Sequence, residues 1–220
     1  MLLLVKNKDL CFTMILFLNG GEFMSNHSSY LTHDTSDYQL IQHFDLPNHF
    51  PLDFIVLDFE TTGLSPILDE IIQIGALLYI NGKPIQTFEK NINPQRDIPD
   101  QISRLTGIMQ CDVDQAPTIS EVLPELLSFI KDYPIVAHHA PFDLNVLNIN
   151  LQRNHFPPLS NLVIDTLQLA RIYAPFTVKN YKLETLKKEM KLNLDSHRAI
   201  NDCYVTGTLY LECKAIIDIL

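Results

Sequence analysis

From Leu52 onward the apolar positions fall into a regular succession of short runs separated by turn residues. Phe54–Leu57 is a continuous apolar run leading into Asp58 and Glu60, which predicts a buried strand over 54–60. Glu70–Ile80 is a second, longer strand, and Asn81-Gly82 is a strong hairpin signal returning the chain into a third strand over 85–91. Helical spacing then takes over. A short helix over 99–105 is stopped by Gly107. Ile119, Val122, Leu126, Phe129 and Ile130 fall on one face of a helix over 118–130, with Thr118 and Glu121 spaced as a capping box. Pro124 either lies in its first turns or kinks it. Ile135–His138 predicts a fourth strand, Pro141 opens a helix through Leu151, and Leu162–Ile164 is a short fifth strand. Helices over 167–173, 183–190 and 199–219 complete the order. A strand hairpin followed by alternating helices and strands predicts an α/β layer fold with a mixed sheet.

The chain upstream of residue 52 has a different character. Residues 25–50 are polar and predict a loose arm. Tyr38, Leu40, Ile41 and Phe44 suggest a short amphipathic helix in it, packed on the domain and ended before Pro47. The domain is therefore expected to occupy 52–220, with an N-terminal extension over 1–51. Within 1–23 the apolar stretches Leu2–Val5 and Leu10–Leu18 fall short of the roughly 18–20 residues that cross a membrane. Asp9 beside the second stretch, and the sequence Leu18-Asn19-Gly20, argue against a cleaved signal peptide. Gly20-Gly21-Glu22 can be encoded by a purine-rich tract of the ribosome-binding kind, which would place the natural start at Met24.

Charge narrows the partners. Lys and Arg number 16 against 26 Asp and Glu, a net charge of −10, so a broad basic surface for long duplex nucleic acid is excluded. A local grip on a strand end, with metal ions supplying the positive charge, is not. The four cysteines are widely spaced without a C-x-x-C, which argues for reduced thiols in a cytoplasmic protein and against a zinc site.

The candidate chemistry lies at element ends. Residues two apart on a strand share a face, so Asp58 and Glu60 stand side by side and repel unless a cation sits between them. Hard divalent ions take oxygen ligands of this kind. Taken alone, such a pair is more often solvated. Asp143, in the first turn of the helix after the fourth strand, lies on the same sheet edge as Asp58, where ligands of open α/β folds gather. Alone it would merely complement the helix dipole. His197 lies in a loop and Asp202 in the first turn of the last helix; a histidine near a metal-bound water can take its proton. Asp165 is expected to order a turn or cap the following helix, outside this set.

In combination, Asp58, Glu60, Asp143, His197 and Asp202 resemble the histidine-containing DEDD-type 3′–5′ exonucleases, and within them the proofreading epsilon subunit of bacterial DNA polymerase III. The segments carrying the resemblance are Asp58–Leu64, Asp69–Ala76, Ile98-Pro99 with Leu105–Ile108, His138–Asp143, Asn180–Leu186 and His197–Asp202. His139 departs from it, standing where the family usually has Asn. Leu220 ends the chain within the last helix, without the polymerase-binding tail of epsilon subunits, which suggests a stand-alone or differently partnered nuclease.

The resemblance implies a ribonuclease H-like fold and two-metal hydrolysis with Mg²⁺ or Mn²⁺. Asp58, Glu60, Asp143 and Asp202 would be the metal ligands, Asp58 bridging the two ions, and His197 the base. Phe59, Thr61, Leu64, His138 and His139 would contact the substrate. The expected partners are single-stranded or frayed 3′ ends, DNA in preference to RNA, and a polymerase or repair protein; no membrane is expected. The alternatives are an exoribonuclease of the ribonuclease T kind and an inactive nucleic-acid-binding module.

Overall fold

The structure, a computed structural model, describes residues 38–220. The readings made for residues 1–37, including the start at Met24, lie outside the described residues.

Five strands form one mixed sheet in the order β3-β2-β1-β4-β5. These are β1 (Phe54–Thr61), β2 (Ile71–Ile80), β3 (Lys83–Asn91), β4 (Ile135–Ala137) and β5 (Val163–Asp165). β2 runs antiparallel to β1 and β3, whereas β4 and β5 run parallel to β1. The helices are α1 (Asp100–Thr106), α2 (Gln110–Val113), α3 (Ile119–Ile130), α4 (Ala140–Arg153), α5 (Thr166–Tyr173), α6 (Leu183–Glu189) and α7 (Ala199–Ile217). The expected α/β architecture, a mixed sheet flanked by helices, is the one observed.

The apolar run of β1 is continuous because both of its faces are covered. Ile55, Leu57 and Phe59 join Ile74, Ala76 and Leu78 of β2 beneath α3 and α4, which contribute Leu126, Leu144 and Leu147. Phe54 and Val56 join Leu77 and Tyr79 on the opposite face beneath α5, α6 and α7, which contribute Leu169, Leu186 and Leu209. Strand alternation carries the second face on to Asp58 and Glu60, so both acids look toward the α7 side. Two glycines let α7 lie close on β2. A Cβ at Gly75 would come within 2.4 Å of the Ala199 backbone, and one at Gly207 within 2.5 Å of the Tyr79 hydroxyl oxygen.

Local signals act as expected in most elements. Thr118 N–H donates to Glu121 Oε2 at 2.7 Å, closing the capping box of α3. Pro124 sits in the second turn on the exposed side of a continuous helix. Asp165 caps α5, its side chain accepting from Leu167 N–H at 2.9 Å. The four-residue α2 has no apolar period to announce it; Asp112 accepts from Met109 N–H at 2.8 Å and closes its first turn.

The arm differs from expectation. Residues 38–51 carry no helix and run along the domain. Ile41 N–H donates to Asn145 Oδ1 at 2.8 Å, and Asn145 Nδ2 donates back to the Ile41 carbonyl at 2.7 Å. Both backbone groups of Ile41 are thus taken by a buried side chain of α4, which replaces intrahelical bonding. Ile41 and Phe44 pack on one core cluster and Leu46 and Phe50 on the other, so this part of the extension is docked rather than loose.

Candidate active site

The candidate residues converge at the carboxyl end of β1, each brought there by a different element. Asp58 pairs with Gly75 and Glu60 with Gln73 in the β1–β2 register. Gln73 is the one buried polar side chain of β2, and its Oε1 accepts from Ala199 N–H at 3.0 Å. That bond and the missing Cβ of Gly75 seat the first turn of α7 directly over Asp58 and Glu60. Asp202, one turn into α7, is thereby turned toward them. Its Oδ2 accepts from His197 N–H at 3.1 Å, tying the loop back onto the helix start. Glu60, His197 and Asp202 each offer a ligand atom, and these atoms lie within 4.8 Å of one another.

Asp143 arrives from the other side. His139 takes a left-handed conformation with φ 66°, which turns the chain sharply from β4 into α4 and brings Asp143 to β1. Asp143 Oδ1 accepts from Phe59 N–H at 3.2 Å, between the two acids of β1. Asp143 is 4% exposed.

Electrostatics reports the crowding. Burial first, then the charges of Asp143, Asp202 and Glu60, hold the Asp58 carboxyl well above its ordinary range. Burial and Asp202 push Glu60 up to about 7. Asp143 is pushed up to about 8, chiefly by burial, although the Phe59 amide works against the shift. Burial also raises Asp202, opposed by the His197 amide and by the nearby side chains of His197 and Lys187. Four carboxylates that resist ionising together form an all-oxygen donor set whose missing component is positive charge. The residues therefore fit a hard divalent cation, with His197 placed either to reach a water held beside Glu60 and Asp202 or to ligate directly.

The substrate-contact candidates separate. Leu64 is 71% exposed on the segment after β1. The turn beneath it is rigid: Thr61 Oγ1 donates to the Gly63 carbonyl at 2.5 Å, and Asp69 accepts from Ser65 N–H at 2.8 Å and from the Thr62 hydroxyl at 3.2 Å. Arg153 reaches the same segment through the Ile67 carbonyl and Glu70. Phe59 is 5% exposed and its N–H is committed to Asp143, so neither its ring nor its amide is free to meet a substrate. His138 is also engaged within the protein. Nε2 donates to the Tyr181 carbonyl at 2.9 Å, leaving Nδ1 to accept from the Thr166 hydroxyl at 3.0 Å. Burial keeps its ring neutral, with the pKa lowered to about 4. The Phe59 amide is taken because buried polar groups take protein partners first; the half-buried His138 has both ring nitrogens bonded within the protein. His139 is exposed beside the site; its N–H donates to Asp165 at 2.9 Å.

Sequence reasoning passed over several supporting residues. Gln73 was detectable as a polar residue inside an apolar strand. Lys187 occupies an apolar-stripe position of α6, four residues after Leu183 and next to Leu186, and is 8% exposed. Asn145 gave no signal, because its partner lies 104 residues away.

A mixed sheet flanked by helices, with four acids and a histidine gathered at one strand end, has the layout of the ribonuclease H-like fold. The chain belongs to the RNase_T exonuclease family, whose sequence model matches residues 55–210. Divalent metal ions are general to that family. Among curated relatives, the PolC-type DNA polymerase III of Caldanaerobacter subterraneus subsp. tengcongensis is 44% identical over 163 residues, 73% of this chain and 11% of the relative. That of Halalkalibacterium halodurans is 41% identical over 165 residues, again 73% of this chain and 11% of the relative. The chain thus spans a small part of the curated relatives it matches. Among solved structures, exonuclease X in complex with 5′ overhanging duplex DNA is 28% identical with a TM-score of 0.59, covering 74% of this chain and 91% of that one. A zinc-bound complex of E. coli exonuclease I with single-stranded DNA shares the fold at 19% identity and a TM-score of 0.68, covering 76% of this chain and 42% of that one.

Proposed function

We propose that this protein is a 3′–5′ exonuclease that removes nucleoside 5′-monophosphates from single-stranded or frayed 3′ ends of DNA. The observation that carries the reading is the convergence of Asp58, Glu60, Asp143 and Asp202, from three separate elements, on one spot beside His197. Asp58, Glu60, Asp143 and Asp202 would hold two divalent cations, Mg²⁺ or Mn²⁺, and these would supply charge neutralisation at the scissile phosphate and acidify water. Asp58 would be the ligand common to both, with Glu60 and Asp202 on the α7 side and Asp143 on the α4 side.

His197 takes the proton of the attacking water. The new P–O bond forms as the bond to the 3′-oxygen of the penultimate nucleotide breaks, which leaves a free 3′-hydroxyl and a nucleoside 5′-monophosphate. Leu64 and the Thr61–Gly63 turn form a firm apolar shelf for the terminal nucleotide, and exposed His139 borders it. Phe59 and His138 contribute by holding Asp143 and the Tyr181 segment in place. Unpaired ends enter such a site at the least cost, because no base pair has to be opened.

The catalytic domain is assigned to residues 52–220, preceded by an extension whose residues 38–51 dock on it. Support for DNA comes from the PolC-type relatives and from the nucleic acid named in the exonuclease X complex. A polymerase or repair partner is in keeping with the same relatives. The unpaired cysteines among the described residues, Cys111, Cys203 and Cys213, favour a cytoplasmic location. No helix among the described residues is long and apolar enough to cross a membrane.

The test is degradation of 5′-labelled DNA and RNA oligonucleotides of matched sequence, with Mg²⁺, with Mn²⁺ and with chelator. Metal-dependent shortening of DNA from its 3′ end, with mononucleotide products, is expected. Faster shortening of RNA would move the assignment to an exoribonuclease, and intact strands in every arm would leave a binding module.

A further inference from the structure

We propose that Lys187 is a positioning residue for hydrolysis: its buried ammonium holds the loop that presents His197, so that removing it slows turnover without weakening substrate binding. The proposal rests on the reading of His197 as the base.

The loop between α6 and α7, residues 190–198, has no regular structure, and neither Leu192 nor Leu194 belongs to a core cluster. Two of its residues adopt left-handed backbone conformations, Lys191 at φ 57° and His197 at φ 58°, which side-chain-bearing residues rarely adopt unassisted. Met190 at its start packs on a core cluster, and Leu192 and Leu194 are half-buried, so beyond Met190 the segment is held chiefly by polar bonds. Its far end is fixed on α7, through His197 N–H to Asp202 and through Asn201 Nδ2, which donates to the Asp195 carbonyl at 3.2 Å. Its near end is fixed on Lys187. The Lys187 carbonyl accepts from Leu192 N–H at 3.0 Å. The Lys187 ammonium donates to the Leu194 carbonyl at 2.8 Å and to the Ser196 hydroxyl, the residue next to His197.

Position 187 belongs to the buried face of α6, where an apolar side chain would fit at no electrostatic cost. An ammonium there must recover its lost hydration from fixed acceptors. Those acceptors are the oxygens of the His197 loop, with the Asp202 charge nearby. Lys187 thus joins the α6–α7 packing to a loop that has little apolar packing of its own beyond Met190. A shift of about 1 Å at a catalytic group can cost about 100-fold in rate, so a strut of this length is sufficient to matter.

The test measures kcat and KM on a 5′-labelled single-stranded DNA with Mg²⁺ for four variants of the full chain and two combinations. Lys187→Met keeps most of the apolar stem and removes the donors. It should lower kcat by about 10- to 100-fold and leave KM within about twofold. Ser196→Ala, which removes one anchor at a half-buried site, should lower kcat by a smaller factor with KM equally unmoved, and remains informative if Lys187→Met folds poorly. Lys187→Arg keeps a cation and donors and should recover part of the loss. In a His197→Ala background, Lys187→Met and Ser196→Ala should each cost less than about twofold, because a strut for an absent side chain has nothing to position. Full, additive losses in that background, or a loss expressed in KM, would overturn the positioning role while leaving the base assignment intact. Wild-type turnover by His197→Ala alone would overturn both.

Discussion

Phe59 N–H donates to the carboxylate of Asp143, 84 residues further along the chain, at 3.2 Å. The bond joins the central strand to the first turn of α4 at the point between Asp58 and Glu60. A backbone amide is thereby spent on orienting an acid rather than on contacting a substrate, and it partly offsets the cost of burying that acid among others.

Asp143→Asn should separate charge from geometry. The amide oxygen of Asn can still accept from Phe59, so the fold is retained while one of the mutually repelling carboxyls is removed. In chelator the variant should melt at or above the wild-type temperature, and its nuclease rate with Mg²⁺ should fall by at least about 100-fold. A melting temperature well below wild type would show that the site is not electrostatically strained.

The raised acids set a pH dependence with a definite sign. Glu60, at about 7, and Asp143, at about 8, bind protons more tightly in the folded state than at their ordinary values of 4.5 and 3.8. Between those limits the folded state carries more protons than the unfolded one, so stability falls as pH rises. The metal-free protein should lose melting temperature from pH 5 to pH 8.5, with little further loss from these groups above about pH 8. Saturating Mg²⁺ should flatten the slope, and so should Asp143→Asn. Thermal melts across that window with chelator and with Mg²⁺ check it; equal slopes in the two conditions would contradict cation binding by these acids.

Asp58→Ala should abolish turnover and weaken cation affinity, measured by titration calorimetry with Mn²⁺. His197→Ala should instead lower kcat by about 100-fold or more with cation and DNA affinity nearly kept. Similar binding defects in both variants would remove the distinction between ligand and base.

Gly75→Ala places a methyl group against the Ala199 backbone, where 2.4 Å is available. The start of α7 must move off β2 and carry Asp202 and His197 with it. Overpacking of this kind costs about 1–3 kcal/mol. The expected result is a variant that remains folded by circular dichroism and has lost at least tenfold in kcat, about 1.4 kcal/mol in barrier height. Unchanged kcat would mean that the α7 seat does not control the site.

Asn145→Leu removes both bonds to Ile41 and leaves that backbone unpaired beside α4. Unsatisfied buried groups cost about 1–3 kcal/mol, so urea denaturation should show a loss of that order. Deletion of residues 1–51 should reproduce it. No loss in either would mean that the docked segment contributes nothing to stability.

The sequence by itself determined the elements and the identity of the acids. Apolar runs in β1 and β2, Asn81-Gly82, the Thr118–Glu121 capping box and Pro141 are local signals, and each acted within a few residues of where it stands. Asp58, Glu60, Asp143, His197 and Asp202 stand at strand ends and first helical turns that local patterns can place, but it was the resemblance to the DEDD-type exonucleases that singled them out as one set. The tertiary structure decided which groups remain free and which are spent. Phe59 and His138 lie in the right segments, yet a buried amide and a half-buried ring took partners from distant parts of the chain, and that choice has no local signature. The arm followed the same logic: its apolar spacing suits a helix, but Asn145 offered Ile41 a complete set of backbone bonds from another part of the chain. Lys187 became a strut only once α6 turned it inward beneath the His197 loop. Spacing along the chain specifies what a residue can do locally, whereas burial and the partners met across 80 or more positions decide what it is left to do.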